Sequence, residues 1–441
     1  MNDAVVIGAG VAGLTAATRI AEAGGRVLVV AKGIGATHLA PGTIDVLGRV
    51  DGEPVERPLE ALGRLGAGHP YARLPAGTLA AAAEWWRGRF ADGPLAPYAY
   101  TGTVETSLPL PSPVGAVRRS ALVPETMAAG DLRRGEPLCI VGLRPLRDFH
   151  APYAADNLAR QGYEARAKVL DLAPEPRPDV NSLGYARAFD DAAFRDRVVA
   201  ELRGRLAPGE SAGFPAVLGL RRPHAAWDDL ERRLARRVFE IPTLPPSVPG
   251  MRVFATLRER LRRAGARVIL NAIVTGAERT GDRVTGVRVK VAAREVVHRG
   301  DWIVLATGGF ASGGLELDST WVAREVALGL PVHGVPGRGE ARFAPGYLDE
   351  QPMARAGIQV DDGLRPLGPD GARAAENVLV AGALLAGAEP WREGSGDGIS
   401  LGTGFHAGGI VVGARNEAAD MTNTSGSIEA IERSGARGAG A

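Results

Sequence analysis

Cysteine, lysine, net charge and long apolar runs are all scarce in this chain. One cysteine in 441 residues, Cys139, excludes an intramolecular disulfide, a multi-cysteine zinc site and an iron–sulfur cluster held by this chain alone. Its neighbours Leu138, Ile140 and Val141 read as a buried strand, which predicts a small core thiol in a reducing cytoplasm. With 52 Lys+Arg against 50 Asp+Glu, the chain lacks the clustered positive excess of a nucleic-acid binder. No stretch reaches the roughly 18 apolar residues that cross a bilayer, and no basic leader precedes the first apolar run, so neither a membrane span nor a signal peptide is expected. Lys32, Lys168 and Lys290 are the only lysines; the arginines are scattered and not striped, as coding bias produces. His69, His150, His224, His298 and His333 share no metal-ligand spacing, so no metal is expected.

Glycine, by contrast, is abundant at 60 residues, and some of it is placed. The apolar strand Ala4–Ile7 runs into Gly8-Ala-Gly10-Val-Ala-Gly13, a helical pattern follows from Leu14 to Ala23, and Arg26–Ala31 is a second short apolar strand. This is one complete βαβ unit with a dinucleotide fingerprint. Gly8 permits the tight turn, Gly10 lets backbone approach a phosphate, and Gly13 lets the helix lie close to the strand.

Farther along, a helix is predicted at Leu79–Phe90 with the adjacent Trp85 and Trp86 facing different ways. Strand Leu138–Val141, helix Ala151–Gln161, strand Ala165–Leu172, helix Asp191–Leu206, strand Ala216–Leu220 and helix Ala225–Arg237 then form a second α/β pattern. The prolines between Pro242 and Pro249 forbid helix until Gly250, after which Met251–Ala264 is helical and Arg267–Leu270 a strand. Ile273–Glu278 and Val284–Val291 flank a hairpin signal, and Trp302–Gly309 and Asn377–Gly382 are strands that end in glycine. Residues Ser434 to Ala441 are expected to be disordered. The fold expected is α/β, a Rossmann-like, glutathione-reductase-type flavin-binding domain from residues 1–51 and 250–415, an inserted mixed α/β lobe over 52–249 for substrate or interface, and a polar tail over 416–441.

One expected residue is missing. The second strand of such a unit should end in a carboxylate that takes ribose hydroxyls, yet no Asp or Glu stands between Glu22 and Asp45. Three explanations stay open: other groups hold the adenosine, the ligand is a mononucleotide, or Lys32 pairs with the extra phosphate of NADP. The hairpin and the late return of the chain to the sheet favour a flavin pocket over a plain NAD(P) dehydrogenase.

Together these segments resemble the B subunits of anaerobic glycerol-3-phosphate dehydrogenase. The resemblance rests on Val5–Leu14, Lys32-Gly33-x-Gly-Ala-x-His38 with Gly42-x-Ile-Asp-Val-Leu47, Leu244-Pro-Pro-Ser-Val-Pro-Gly-Met251, Leu305-Ala-Thr-Gly308-Gly309-Phe-x-Ser-Gly-Gly314, and Glu376-Asn-Val-Leu-Val-Ala-Gly382. It implies a flavin subunit, carrying FMN with FAD as the alternative, beside an FAD-bearing catalytic subunit and an iron–sulfur membrane anchor. Such an assembly oxidises sn-glycerol 3-phosphate to dihydroxyacetone phosphate and passes electrons to quinone, so the chain would sit peripherally at the inner face of the cell membrane. Gly8, Gly10, Gly13, Lys32, Gly33, Gly308, Gly309 and Gly382 are the implied cofactor contacts. This chain departs from the family pattern at Ala40-Pro41, where paired serines are expected, and at Asp397, where glycine is. A subunit whose flavin pocket has decayed is therefore an alternative, as is an NADP-dependent dehydrogenase using Lys32.

His38 is the candidate chemical residue, placed to hydrogen-bond the flavin ring or shuttle its proton, with a structural role in its loop as the alternative. His406 is placed on a helix whose N-terminus faces the flavin. Arg118-Arg119-Ser120 and Arg338 are candidates for clamping a substrate phosphate, although a solvated face is the ordinary place for an arginine here.

Overall fold

The computed structural model describes residues 1–174, 179–346 and 349–437, with side chains as far as 419. Strand β1 (Asn2–Ile7), helix α1 (Val11–Glu22) and strand β2 (Val27–Val30) form the expected opening unit. All four residues of β2 are buried, which requires that both faces of its sheet be covered. That sheet has seven strands. Arg267–Ile269, β2, β1 and Arg294–Leu305 lie side by side in parallel, with Ile7 opposite both Val30 and Leu305. Val378–Val380 pairs in parallel with Ile303–Leu305, while the first half of Arg294–Leu305 continues as an antiparallel meander through Arg283–Val291 and Ala272–Thr280.

One face of the sheet carries α1 and the long C-terminal helix Gly396–Arg437. Leu14 and Ile20 of α1 are fully buried, each contributing about 2 kcal/mol by area. The two helices touch backbone to backbone: a Cβ added at Gly404 would stand 2.4 Å from the Ala12 carbonyl oxygen. A second, all-parallel sheet orders Ala165–Leu170, Leu138–Leu143, Ser211–Pro215 and Val238–Ile241 around its own core. Cys139 lies in that core, and burial pushes its thiol up to about 11, as expected of an inert group.

The segment 52–249 divides between the two cores and a small third cluster of Leu110, Val123, Met127 and Ala216. Val55, Tyr71, Trp86, Phe90, Tyr98, Tyr100 and Leu122 belong to the first, and the second begins at Leu132. The helix Thr78–Ala91 inserts Trp86 into an aromatic cluster with Phe90 and Tyr100, and Trp85 meets Phe405 of the C-terminal helix.

Several boundaries differ from the sequence pattern. Ala216–Leu220 is not a strand; the strand is Ser211–Pro215, and the chain turns away once its pairing with Val238–Ile241 ends. The helix expected from Met251 starts at Val248, because Ser247 caps Gly250 N–H and Pro249 sits in the first turn, where its missing N–H costs nothing. The strand expected from Trp302 begins at Arg294 because the meander pairs its earlier half. The disorder expected over Ser434–Ala441 is replaced by helical backbone as far as Arg437; residues 438–441 lie outside the described residues.

Candidate functional site

The carboxyl ends of β1, β2, Arg294–Leu305 and Val378–Val380 all open onto one cleft of about 490 Å³, where ligands of open parallel sheets bind. Its first wall is the loop between β1 and α1. Gly8 has φ +116°, and a Cβ there would stand 2.1 Å from the Ala306 carbonyl oxygen. At Gly13 a Cβ would stand 2.1 Å from the Gly8 carbonyl oxygen, so neither position admits a side chain. Gly10 is the opposite case: nothing lies within 4 Å of an added Cβ, and the space in front of it is the cleft. The three glycines thus divide turn, open space and packing between them.

The second wall is Lys32–Ala40, and a Pro-rich segment far away in sequence pins it. Ser247 N–H donates to the His38 carbonyl at 2.8 Å, and a Cβ on Gly250 would stand 1.9 Å from the Thr37 carbonyl oxygen. Two of the segments that carry the family resemblance are therefore in mutual contact. Lys32 is exposed on the rim, Gly33 leaves open space, and the Thr37 hydroxyl is buried without a partner. His38 is a correction to its expected place. Its neighbours Thr37 and Leu39 line the cleft, whereas its own ring stands edge-on to Phe254 at 5.4 Å, with Nε2 buried and unpartnered. Burial lowers its pKa, so the ring is neutral at neutral pH.

The third wall joins Ala306–Gly308 to Ala381–Ala383. Gly382 N–H donates to Thr403 Oγ1 at 2.9 Å, and that hydroxyl donates to the Ile399 carbonyl, which fixes the wall to the C-terminal helix. Gly8, Gly10, Lys32, Gly33, Gly308 and Gly382 line the cleft. Gly13 and Gly309 stand behind it, the latter against the Ala383 carbonyl, and serve packing.

An acid cluster closes one end. Asp45 accepts from Thr43 Oγ1 at 2.9 Å, Ser120 Oγ at 2.7 Å and Arg118 Nε at 2.6 Å, so its oxygens are fully engaged. Arg118 Nη2 stands 3.9 Å from Asp397 Oδ2, in the first turn of the C-terminal helix. Burial, and then the charge of Asp45, push the Asp397 carboxyl up to about 7. Arg118 is thereby committed to internal carboxylates and is not free to clamp a phosphate; Arg338 is exposed and away from the cleft. His406 stands on the helix whose first turn faces the cleft, but not in that turn. It lies eleven residues into the helix Gly396–Arg437, half-buried beside Arg19, while Asp397 holds the N-terminal turn. Asp397 stands out in the sequence as a departure from the family pattern and Thr307 lies inside the Leu305–Gly314 segment, whereas Thr37 and Thr403 carry no motif of their own.

The donor set suits a flavin nucleotide. Open backbone at Gly10 and Gly33, the rim cation Lys32, and the buried unpartnered hydroxyls of Thr37 and Thr307 give a phosphate-bearing, largely apolar ligand both space and donors. Asp397 is the only carboxylate among the described lining residues, so the missing ribose partner of β2 is not supplied from elsewhere. Among the described residues no cluster of His, Cys, Asp or Glu could hold a metal ion, and no helix is long and apolar enough to cross a membrane.

A family model described as FAD binding domain matches residues 3–399. The probable anaerobic glycerol-3-phosphate dehydrogenase B subunit of Halobacterium salinarum is 31% identical over 422 residues, covering 92% of this chain and 97% of that one. The corresponding B subunit of Pectobacterium carotovorum is 33% identical over 427 residues, with the same 92% and 97% coverage. Among solved structures, the 3-ketosteroid delta1-dehydrogenase of Sterolibacterium denitrificans aligns over 94% of this chain and 99% of its own, at 13% identity and TM-score 0.43, a likeness too loose to add to the assignment. The family model favours FAD, which displaces FMN as the first choice of flavin.

Proposed function

The chain belongs to the family of anaerobic glycerol-3-phosphate dehydrogenase B subunits and carries an FAD binding domain, and from that premise we propose that it is the flavin-bearing subunit of an assembly oxidising sn-glycerol 3-phosphate to dihydroxyacetone phosphate. Its flavin is FAD, bound with the adenosine ribose unpaired by a carboxylate. The single observation that carries this reading is the open backbone at Gly10, framed by Gly8 and Gly13, whose side-chain positions are filled by backbone.

Conversion of the secondary alcohol to a ketone removes two electrons and two protons, and the flavin supplies the acceptor for the electron pair. The protein's part is position and electrostatics. Backbone at Gly10 and Gly33 approaches the phosphates, Lys32 offsets their charge, and Thr37 and Thr307 donate hydrogen bonds from the walls. Gly308 and Gly382, both at positive φ, let the third wall pack against Ser312 and Ala12 while their backbone lines the cleft. His38, behind the second wall, is a positioning residue: its neutral ring packs on Phe254 and holds the Thr37 backbone in place.

Electrons leave through other chains. One cysteine cannot hold an iron–sulfur relay, and the described cleft presents no free acid–base pair for the alcohol. The partners are an FAD-bearing catalytic subunit and an iron–sulfur anchor that reduces quinone and keeps this chain, peripherally, at the cytoplasmic face of the membrane. The test is glycerol 3-phosphate oxidation with an artificial acceptor, by the purified chain alone and after addition of the partner subunits. Little turnover alone and full turnover in the assembly is the expected result. Robust turnover by the chain alone would overturn the division of labour, and reduction of NADP by the purified chain would favour a dehydrogenase using Lys32.

A further inference from the structure

Among the described lining residues the cleft has one carboxyl group, Asp397, and its surroundings leave it a proton to carry. Asp45 takes the guanidinium of Arg118 and two hydroxyl hydrogen bonds. One arginine thus faces two acids, and the second, Asp397, is left at 3.9 Å from the same cation. Asp397 and Ser400, one turn apart on the C-terminal helix, both face the cleft. Asp397 also accepts a hydrogen bond from the Asp45 backbone, whereas a second wall group, the Thr37 hydroxyl, is buried at 3% exposure and has no partner, so polar groups of two elements line the same ligand space.

We propose that Asp397 is a cofactor-contacting residue that meets the bound flavin as a neutral carboxylic acid and donates its proton to it in a hydrogen bond. This rests on the flavin reading of the cleft and deepens it. The groups that face Asp397 are Asp45 and Arg118, with the phenols of Tyr71 and Tyr100 behind them. Both phenols are raised by burial and stay protonated, and burial lowers His38 in the second wall toward its neutral form, so none of these is set to change charge around neutrality. The shift of Asp397 to about 7 then makes it the group that does. Raising the pH removes the donor and adds a negative charge beside the ligand, so flavin binding weakens.

The holoprotein tests this with its flavin kept oxidised, since the oxidised ring has no titrating group of its own across the neutral range. The wild-type spectrum is expected to shift with a single inflection near neutrality, and the flavin dissociation constant to rise about fivefold from pH 6 to pH 8. Asp397→Asn and Asp397→Gly are expected to abolish the inflection and hold the constant within about twofold over that range. In the wild type alone, a protonated-carboxyl band in the infrared should vanish over the same interval, which needs no variant to fold. Flavin bound with no inflection, or with the same inflection in either variant, would overturn the inference and leave the flavin reading standing. A wild-type chain that takes up no FAD would overturn the flavin reading itself.

Discussion

The guanidinium of Arg252 meets the carboxylate of Glu240 through two hydrogen bonds, at 2.7 and 3.0 Å, with neither side chain exposed to solvent. Arg252 belongs to the helix Val248–Arg263, which carries the flavin-side core residues Val253 and Leu257; Glu240 lies in the last strand of the second sheet. The pair therefore joins the two cores. Its remaining capacity is filled as well: Arg252 donates to the Gly219 carbonyl, and Glu240 accepts from Thr126 Oγ1 and Leu218 N–H.

Removing one partner strands the other charge in a dry interior. Arg252→Met should destabilise the chain by about 3–5 kcal/mol in urea unfolding, and Glu240→Leu by a similar amount. The double replacement should recover much of that loss, because two apolar groups leave no unpaired charge. Additive losses in the double variant would show that the pair contributes nothing as a pair.

Gly10→Val and Gly13→Val should behave differently although they lie three residues apart. A side chain at Gly10 enters open cleft, so the protein should keep its unfolding midpoint and lose its flavin. A side chain at Gly13 collides with the Gly8 carbonyl, so the variant should be destabilised by several kcal/mol, on the order of an overpacked core, or fail to fold. Circular dichroism melts with flavin absorbance read on the same samples separate the two outcomes. Retained flavin in Gly10→Val would mean that the loop is packing alone.

The segments legible in sequence were those whose physics is local. The glycine loop works through backbone turns and through the absence of Cβ atoms, which the order Gly8, Gly10, Gly13 states directly. Thr37 was not legible, because it acquires its place only when Gly250 and Ser247, over two hundred residues away, close on its loop. The ring of His38 was hidden for the same reason. Its position in the chain is at the cleft, but Phe254 from the distant helix takes its ring. The helix starting at Val248 was hidden because four prolines read as a break, while one of them occupies the turn that tolerates it.

Asp397 gives a signed pH dependence to the flavin-free chain. Its carboxyl holds a proton up to about 7 in the folded state and only to about 4 when unfolded, so the folded state binds more protons between those values. Its contribution is most favourable at the acid end of that window and is lost as pH rises to 7, then stays constant. Asp397→Asn should therefore raise stability at pH 8 by about 2–3 kcal/mol relative to its effect at pH 5. Thermal melts of the apo protein at the two pH values measure it, and an equal effect at both would contradict the assigned burial of this acid.

A flavin in this cleft should be visible in the cofactor content of the purified full-length chain. After saturation with FAD and removal of excess, the visible spectrum should show flavin bands at one flavin per chain, and acid release followed by chromatography should return FAD. A chain that stays colourless, or that retains as much flavin after Gly10→Val as before, would contradict the placement of a flavin in this cleft.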